Sequence, residues 1–147
     1  MTAPLQVEIL SQPGLWPADR ACWEAWTAAD AAYASPYFHP DYAEAALSVA
    51  PQAGIARILR DGRLEGFLPF QKRGGALQPL GAPLTDYHGP ILRPGAEVDL
   101  REVARLLGAE VVSLTGLERP TVGLIVHRAR VARLEQGFDA YMAERRR

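Results

Sequence analysis

Asp61-Gly62 and Gly74-Gly75 constrain this chain more than any other feature in it. The first pair stands between "GIARILR" and "RLEGFLPFQKR", and the second leads into "ALQPL"; all three runs are strand-like. Asp-Gly and Gly-Gly accept the left-handed backbone angles that a two-residue hairpin demands, and few other pairs do. The segment from Gly54 to about Leu80 therefore reads as an antiparallel meander of three strands. Whatever else the chain forms has to pack around it.

The flanking segments supply helices and further strands. "LQVEIL", Leu5 to Leu10, alternates apolar and polar residues as a first strand. Pro17 suits a first helical turn, and Ala18 to Ala32 continue it until Pro36 stops it. Trp23 and Trp26 share one face of that helix and belong to the core. A second helix starts at Pro40, where Tyr42, Ala45, Ala46 and Val49 recur at helical spacing. After an irregular stretch, Pro79 to Gly95, "DLREVARLLG" carries Asp99 and Glu102 as a capping-box pair, apolar Leu100, Val103, Leu106 and Leu107, and Gly108 as its stop. "AEVVSLTGL" reads as a strand, and so does the alternation around Ile125 to Leu134. "GFDAYMAERRR" begins a last helix with Phe138, Tyr141 and Met142 on one face. The order is that of an α+β fold, a mixed but mostly antiparallel sheet flanked by helices.

Composition removes several classes of function. The 147 residues suit one domain, and with 48% hydrophobic and 22% charged residues they match an ordinary globular protein. A net charge of −1 leaves no electrostatic footprint for nucleic acid. The single cysteine, Cys22, excludes an intrachain disulfide, fits a reducing compartment and reads as a small buried side chain. His39, His88 and His127 are far apart in sequence and lack metal-ligand spacing. No apolar run approaches the ~20 residues that span a bilayer, so the expected location is cytoplasmic. His39 falls near a helix start, and His127 sits on a strand facing solvent or a neighbour. Arg128, Arg130 and Arg133, like Arg145 to Arg147, read as solvated charge.

The stretch "LGAPLTDYHGPIL" puts Asp86, Tyr87 and His88 side by side between Pro83 and a Gly-Pro turn. One reading is a turn, with Asp86 capping backbone N–H groups and Tyr87 packing its ring. The other is a substrate-binding corner, with Asp86 and His88 holding or deprotonating an amine or hydroxyl. The residues leave both open.

Four stretches in order resemble a known family. "SPYFHPDYAEAAL" is similar to its aromatic-and-proline lead into a helix, and "RDGRLEGFLPFQKRGG" to its hairpin. "LQPLGAPLTDYHGPIL" is similar to its strand-end segment with an Asp-Tyr pair, and "LEQGFDAYMAERR" to the helix that leads into a second half. Together they resemble the N-terminal half of the GNAT acyltransferase fold. More narrowly, they look like the first half of the CelD/BcsL-type proteins, bacterial acyltransferases associated with cellulose and exopolysaccharide synthesis.

The resemblance implies a GNAT-like domain over residues 1–136 and, in 137–147, the start of a helix linking to a second GNAT-like half outside this chain. It implies transfer from acyl-CoA to an amine or hydroxyl of a sugar-linked acceptor. The acyl-CoA is expected on the second half, and this chain alone is expected to be inactive. Asp86, Tyr87 and His88 are then the substrate-binding residues, with no catalytic, cofactor or metal ligand among them. "QKRGGA" matches the letters of the pyrophosphate loop of that fold through Gln71, Gly74 and Ala76. Leu77-Gln78-Pro79 follows where a helix should begin, so the stretch reads as a hairpin turn. The competing reading of the whole chain is a non-catalytic binding or assembly module.

Overall fold

A computed structural model describes residues 3–11, 15–114, 116–117 and 134–146. Most of the strand expected around Ile125 to Leu134, with His127, Arg128, Arg130 and Arg133, lies outside those residues, as does Arg147.

The meander forms as expected. β2 (Ala53–Arg60) and β3 (Arg63–Arg73) pair antiparallel around Asp61 and Gly62, whose φ angles are +51° and +73°. β3 turns through Gly74 and Gly75 into β4 (Ala76–Pro79). β1 (Leu5–Leu10) adds antiparallel to β2 along its whole length. β5 (Ile91–Leu92) pairs antiparallel with β3, and β6 (Val111–Val112) pairs parallel with β4. The result is a mixed, mostly antiparallel six-stranded sheet.

β3, 11 residues long, organises the sheet. One edge meets β2 throughout, with a bulge that leaves Glu65 without an opposite residue. The other edge is shared. Gly66 and Phe67 pair with β5, while Phe70 to Arg73 pair with β4. Leu68 and Pro69 have no ladder partner on that side. Proline lacks the N–H that a ladder position requires, and it sits at the seam between two partner strands.

Helices cover both faces of the sheet. α1 (Pro17–Ala28) and α2 (Pro40–Val49) lie on one face, with a core of Trp23, Phe38, Ala43, Leu47, Ile55, Phe67 and Ile91. The Trp23 side chain is fully buried, stacks on Phe67 at 5.2 Å and donates from Nε1 to the Phe38 carbonyl at 2.7 Å. α3 (Leu100–Leu106) covers the other face, with Ala56, Ile58, Leu68, Phe70, Leu77 and Val103 beneath it. α4 (Phe138–Arg145) has no buried residue, although it places Phe138 and Tyr141 as its sequence suggested.

Four sequence expectations change. α1 stops at Ala28 and does not reach Ala32, because Asp30 turns extended and its carboxylate captures the Ala32 N–H at 3.0 Å. Cys22 is half-buried at the margin of the core, not sealed within it. α2 buries Pro40, Ala43 and Leu47, whereas Ala45 is exposed and Val49 is 82% exposed. The stripe through Tyr42, Ala46 and Val49 therefore faces something other than the core. At α3 the expected reciprocal box is half-made. Asp99 accepts from the Arg101 N–H at 2.8 Å, but Glu102 accepts from the Leu5 N–H of β1. Asp99→Ala is expected to cost about 1 kcal/mol in a urea melt, the ordinary value of an N-cap. Glu102→Ala should instead deprotect the Leu5 amide in hydrogen exchange while α3 keeps its cap.

Candidate functional site

The outward stripe of α2 forms one wall of an open cleft of about 820 Å³. The opposite wall comes from the tip of β3, with Gln71 and Arg73, and from the loop after β4, with Gly81, Ala82 and Leu84. Pro51 and Gln52 close one end, and Tyr37 stands beside Tyr42 at the other, their rings perpendicular at 5.0 Å. The volume is of the size that small-molecule sites occupy.

The loop wall is held by side chains that are fully committed. Gln71 accepts from the Gly81 N–H through Oε1 at 3.0 Å and donates through Nε2 to the Ala82 carbonyl at 3.3 Å. Thr85 Oγ1 donates to the Leu80 carbonyl at 2.5 Å and lies 2.5 Å from Tyr42 Oη. Gly81 has φ +82°, and a Cβ there would fall 2.5 Å from Tyr42 Oη and 2.8 Å from Thr85 Oγ1. Only glycine meets both demands, the left-handed angle and the close approach. The Ala82–Pro83 peptide bond in this loop is cis.

Asp86, Tyr87 and His88 continue from this loop, but their side chains do not converge. Asp86 is exposed and lies beside the Tyr37 phenol, whose pKa is raised by desolvation first and then by the Asp86 charge. Tyr87 is 40% exposed. His88 is buried, and its backbone N–H donates to the Gly116 carbonyl at 3.0 Å beside a parallel bridge to Leu117. Its ring lines a closed void of about 10 Å³ together with Tyr37, Tyr42, Pro69 and Thr85, and Nε2 has no hydrogen-bond partner. Burial lowers its pKa from 6.5 to about 4. Asp86 thus adjoins a cleft-lining residue, and His88 lies behind the same two tyrosines, in the void and not in the cleft.

The "QKRGGA" stretch is the β3–β4 turn. Its Gln71 carboxamide is engaged by the loop, Gly74 and Gly75 make the turn, and a strand follows. β4, and not a helix, begins after the turn, so these residues do not fit a pyrophosphate. Among the described residues no cluster of His, Cys, Asp and Glu could hold a metal ion. His39 caps α2, accepting from the Asp41 N–H through Nδ1 at 3.2 Å.

Sequence reasoning missed Tyr37, Tyr42, Arg73, Gly81 and Thr85 as site residues. One signal was present. α2 is apolar at Tyr42, Ala43, Ala45, Ala46, Leu47 and Val49, far more than one buried stripe requires, which marks a helix with a second surface to cover. No family model matches the chain, and no curated protein or solved structure matches it either.

Proposed function

We propose that this chain is the N-terminal GNAT-like domain of an acyl-CoA-dependent acyltransferase and that its cleft holds the acceptor. The acceptor would be an amine or hydroxyl on a sugar-linked or polysaccharide-related molecule, with acyl-CoA carried by a second GNAT-like half. The observation that carries the reading is the cleft itself, whose loop wall is fixed by Gln71 on Gly81 and Ala82 and joined to Tyr42 through Thr85. The element order, a strand, two helices, an antiparallel meander, a helix and a parallel strand, agrees with the resemblance.

In this role the chain binds and orients. Direct acyl transfer requires a polarised carbonyl and a base for the acceptor proton. The described cleft-lining side chains supply neither a carboxylate nor an imidazole. They offer phenols, amides, the Lys72 ammonium and a guanidinium, groups suited to positioning. The same observation favours the second reading, a non-catalytic binding module.

Two measurements separate the readings. Calorimetric titration of acetyl-CoA into the chain alone is expected to show no saturable binding, and low-micromolar binding would make this the acyl-CoA half. In the intact enzyme Tyr42→Phe should raise the KM for acceptor and leave that for acetyl-CoA unchanged. An unchanged acceptor KM overturns the assignment of the cleft.

A further inference from the structure

The hydrogen bonds that build the cleft also set the polarity of its two ends. Thr85 has one hydroxyl proton and gives it to the Leu80 carbonyl, so the short contact between Thr85 Oγ1 and Tyr42 Oη uses the tyrosine's proton. Tyr42 Oη is left with lone pairs alone. It can meet a ligand only as a hydrogen-bond acceptor. Tyr37 packs against it with the Asp86 carboxylate alongside, so this end of the cleft is electron-rich.

The other end has the opposite character. Arg73 lines the cleft at the tip of β3, paired through its backbone with Ala76, and among the described residues its exposed guanidinium makes no hydrogen bond or ion pair. A guanidinium only donates, and it fits a carboxylate or phosphate through two parallel N–H bonds. The neighbouring Lys72 ammonium turns away to the Leu107 carbonyl on the α3 face. Gln71, between the two ends, is already bonded at both atoms of its carboxamide. The walls between are apolar: Ala46, Val49 at 82% exposure and Leu84 at 78%. A donor at one end, an acceptor at the other and hydrocarbon between them match a molecule with the reverse order of groups.

We infer that the cleft takes a two-ended small molecule, with a carboxylate or phosphate on Arg73 and a hydrogen-bond-donating amine or hydroxyl on Tyr42 Oη, joined by a largely apolar body. This deepens the proposed acceptor role and rests on it for the identity of the group acylated. The anionic end gives the cleft a selectivity that the acyl-transfer chemistry itself does not need.

The test is a chemical-shift titration of the chain with aminobutyl phosphate and aminopentanoate, against butylamine and butyl phosphate as one-ended controls. Each two-ended probe is expected to bind about tenfold more tightly than its controls, the increment of one charge-assisted contact of about 1.4 kcal/mol. Comparison of the phosphate with the carboxylate identifies which anion fits. Arg73→Gln, at the exposed end of β3, should bring aminobutyl phosphate down to the level of butylamine. Tyr42→Phe should bring it down to butyl phosphate, with the melting temperature recorded alongside. Equal affinity of one-ended and two-ended probes, or an advantage that survives Arg73→Gln, overturns the inference. If the two-ended probes bind as described but the intact enzyme acylates neither, the acyl-transfer reading fails and the ligand assignment stands. If uncharged amines are acylated as readily as anionic ones, the ligand assignment fails and the transferase reading stands.

Discussion

Gly81→Ala is expected to cost about 3 kcal/mol of stability and to remove ligand binding from the cleft. Two separate penalties add. An alanine at φ +82° gives up about 1 kcal/mol relative to glycine. Its Cβ also enters the space of Tyr42 Oη and Thr85 Oγ1. Moving Tyr42 aside breaks a hydrogen bond between part-buried hydroxyls, for about another 2 kcal/mol. Gly62→Ala isolates the first penalty. Its φ is +73°, and nothing lies within 4 Å of the added carbon, so it should lose only about 1 kcal/mol. Urea denaturation of the two variants measures the difference. Equal losses would mean that the Gly81 contact yields without resistance and that the cleft wall is not rigid.

Acid should weaken the protein through His88. Its folded pKa of about 4 lies below the unfolded value of 6.5 because burial disfavours the imidazolium. The unfolded chain therefore takes up the proton first. The His88 contribution is complete above about pH 6.5 and is lost as pH falls toward about 4. The shift corresponds to about 3 kcal/mol across that window. The residues that line the void around the ring, Tyr37, Phe38, Tyr42, Pro69, Leu80 and Thr85 among them, include no carboxylate to offset the imidazolium charge. His88→Leu keeps most of the volume and has no proton to gain. Unfolding free energies measured from pH 7 to pH 4 should fall by about 3 kcal/mol more in the parent than in this variant. Parallel slopes would show that the ring reaches water in the folded state.

The parts of the fold written in neighbouring residues were legible, and the parts made by distant segments were not. Asp61-Gly62 and Gly74-Gly75 each specify a turn within a few residues, and the meander followed from them. β5 was not foreseen, because two residues in a loop carry no period; what selects them is Gly66, where a side chain would collide with Ile91 and Leu92. α2 was recognised as a helix from Tyr42, Ala45, Ala46 and Val49, but the stripe that it buries is Ala43 and Leu47. Spacing could not decide between Tyr42-Ala46-Val49 and Ala43-Leu47 while both stripes were apolar. "TDYHG" was singled out for its chemistry, and its neighbour Gly81 was passed over. The burial of His88 depends on Gly116, whose carbonyl receives its N–H from far along the chain. The cleft joins one helix, one strand tip and one loop, so no single window of sequence contains it.

The seam at Pro69 has a mechanical consequence. On the edge where β5 ends and β4 begins, β3 spans two residues without a cross-strand tie, and one of them has no proton to offer. The β3–β4 ribbon beyond that point, which bears Gln71 and Arg73, is anchored on one side by β2 and on the other by β6. The interruption is confined to one edge, and the ties to β2 and β6 on either side of the ribbon fix the foot of the Arg73 arm.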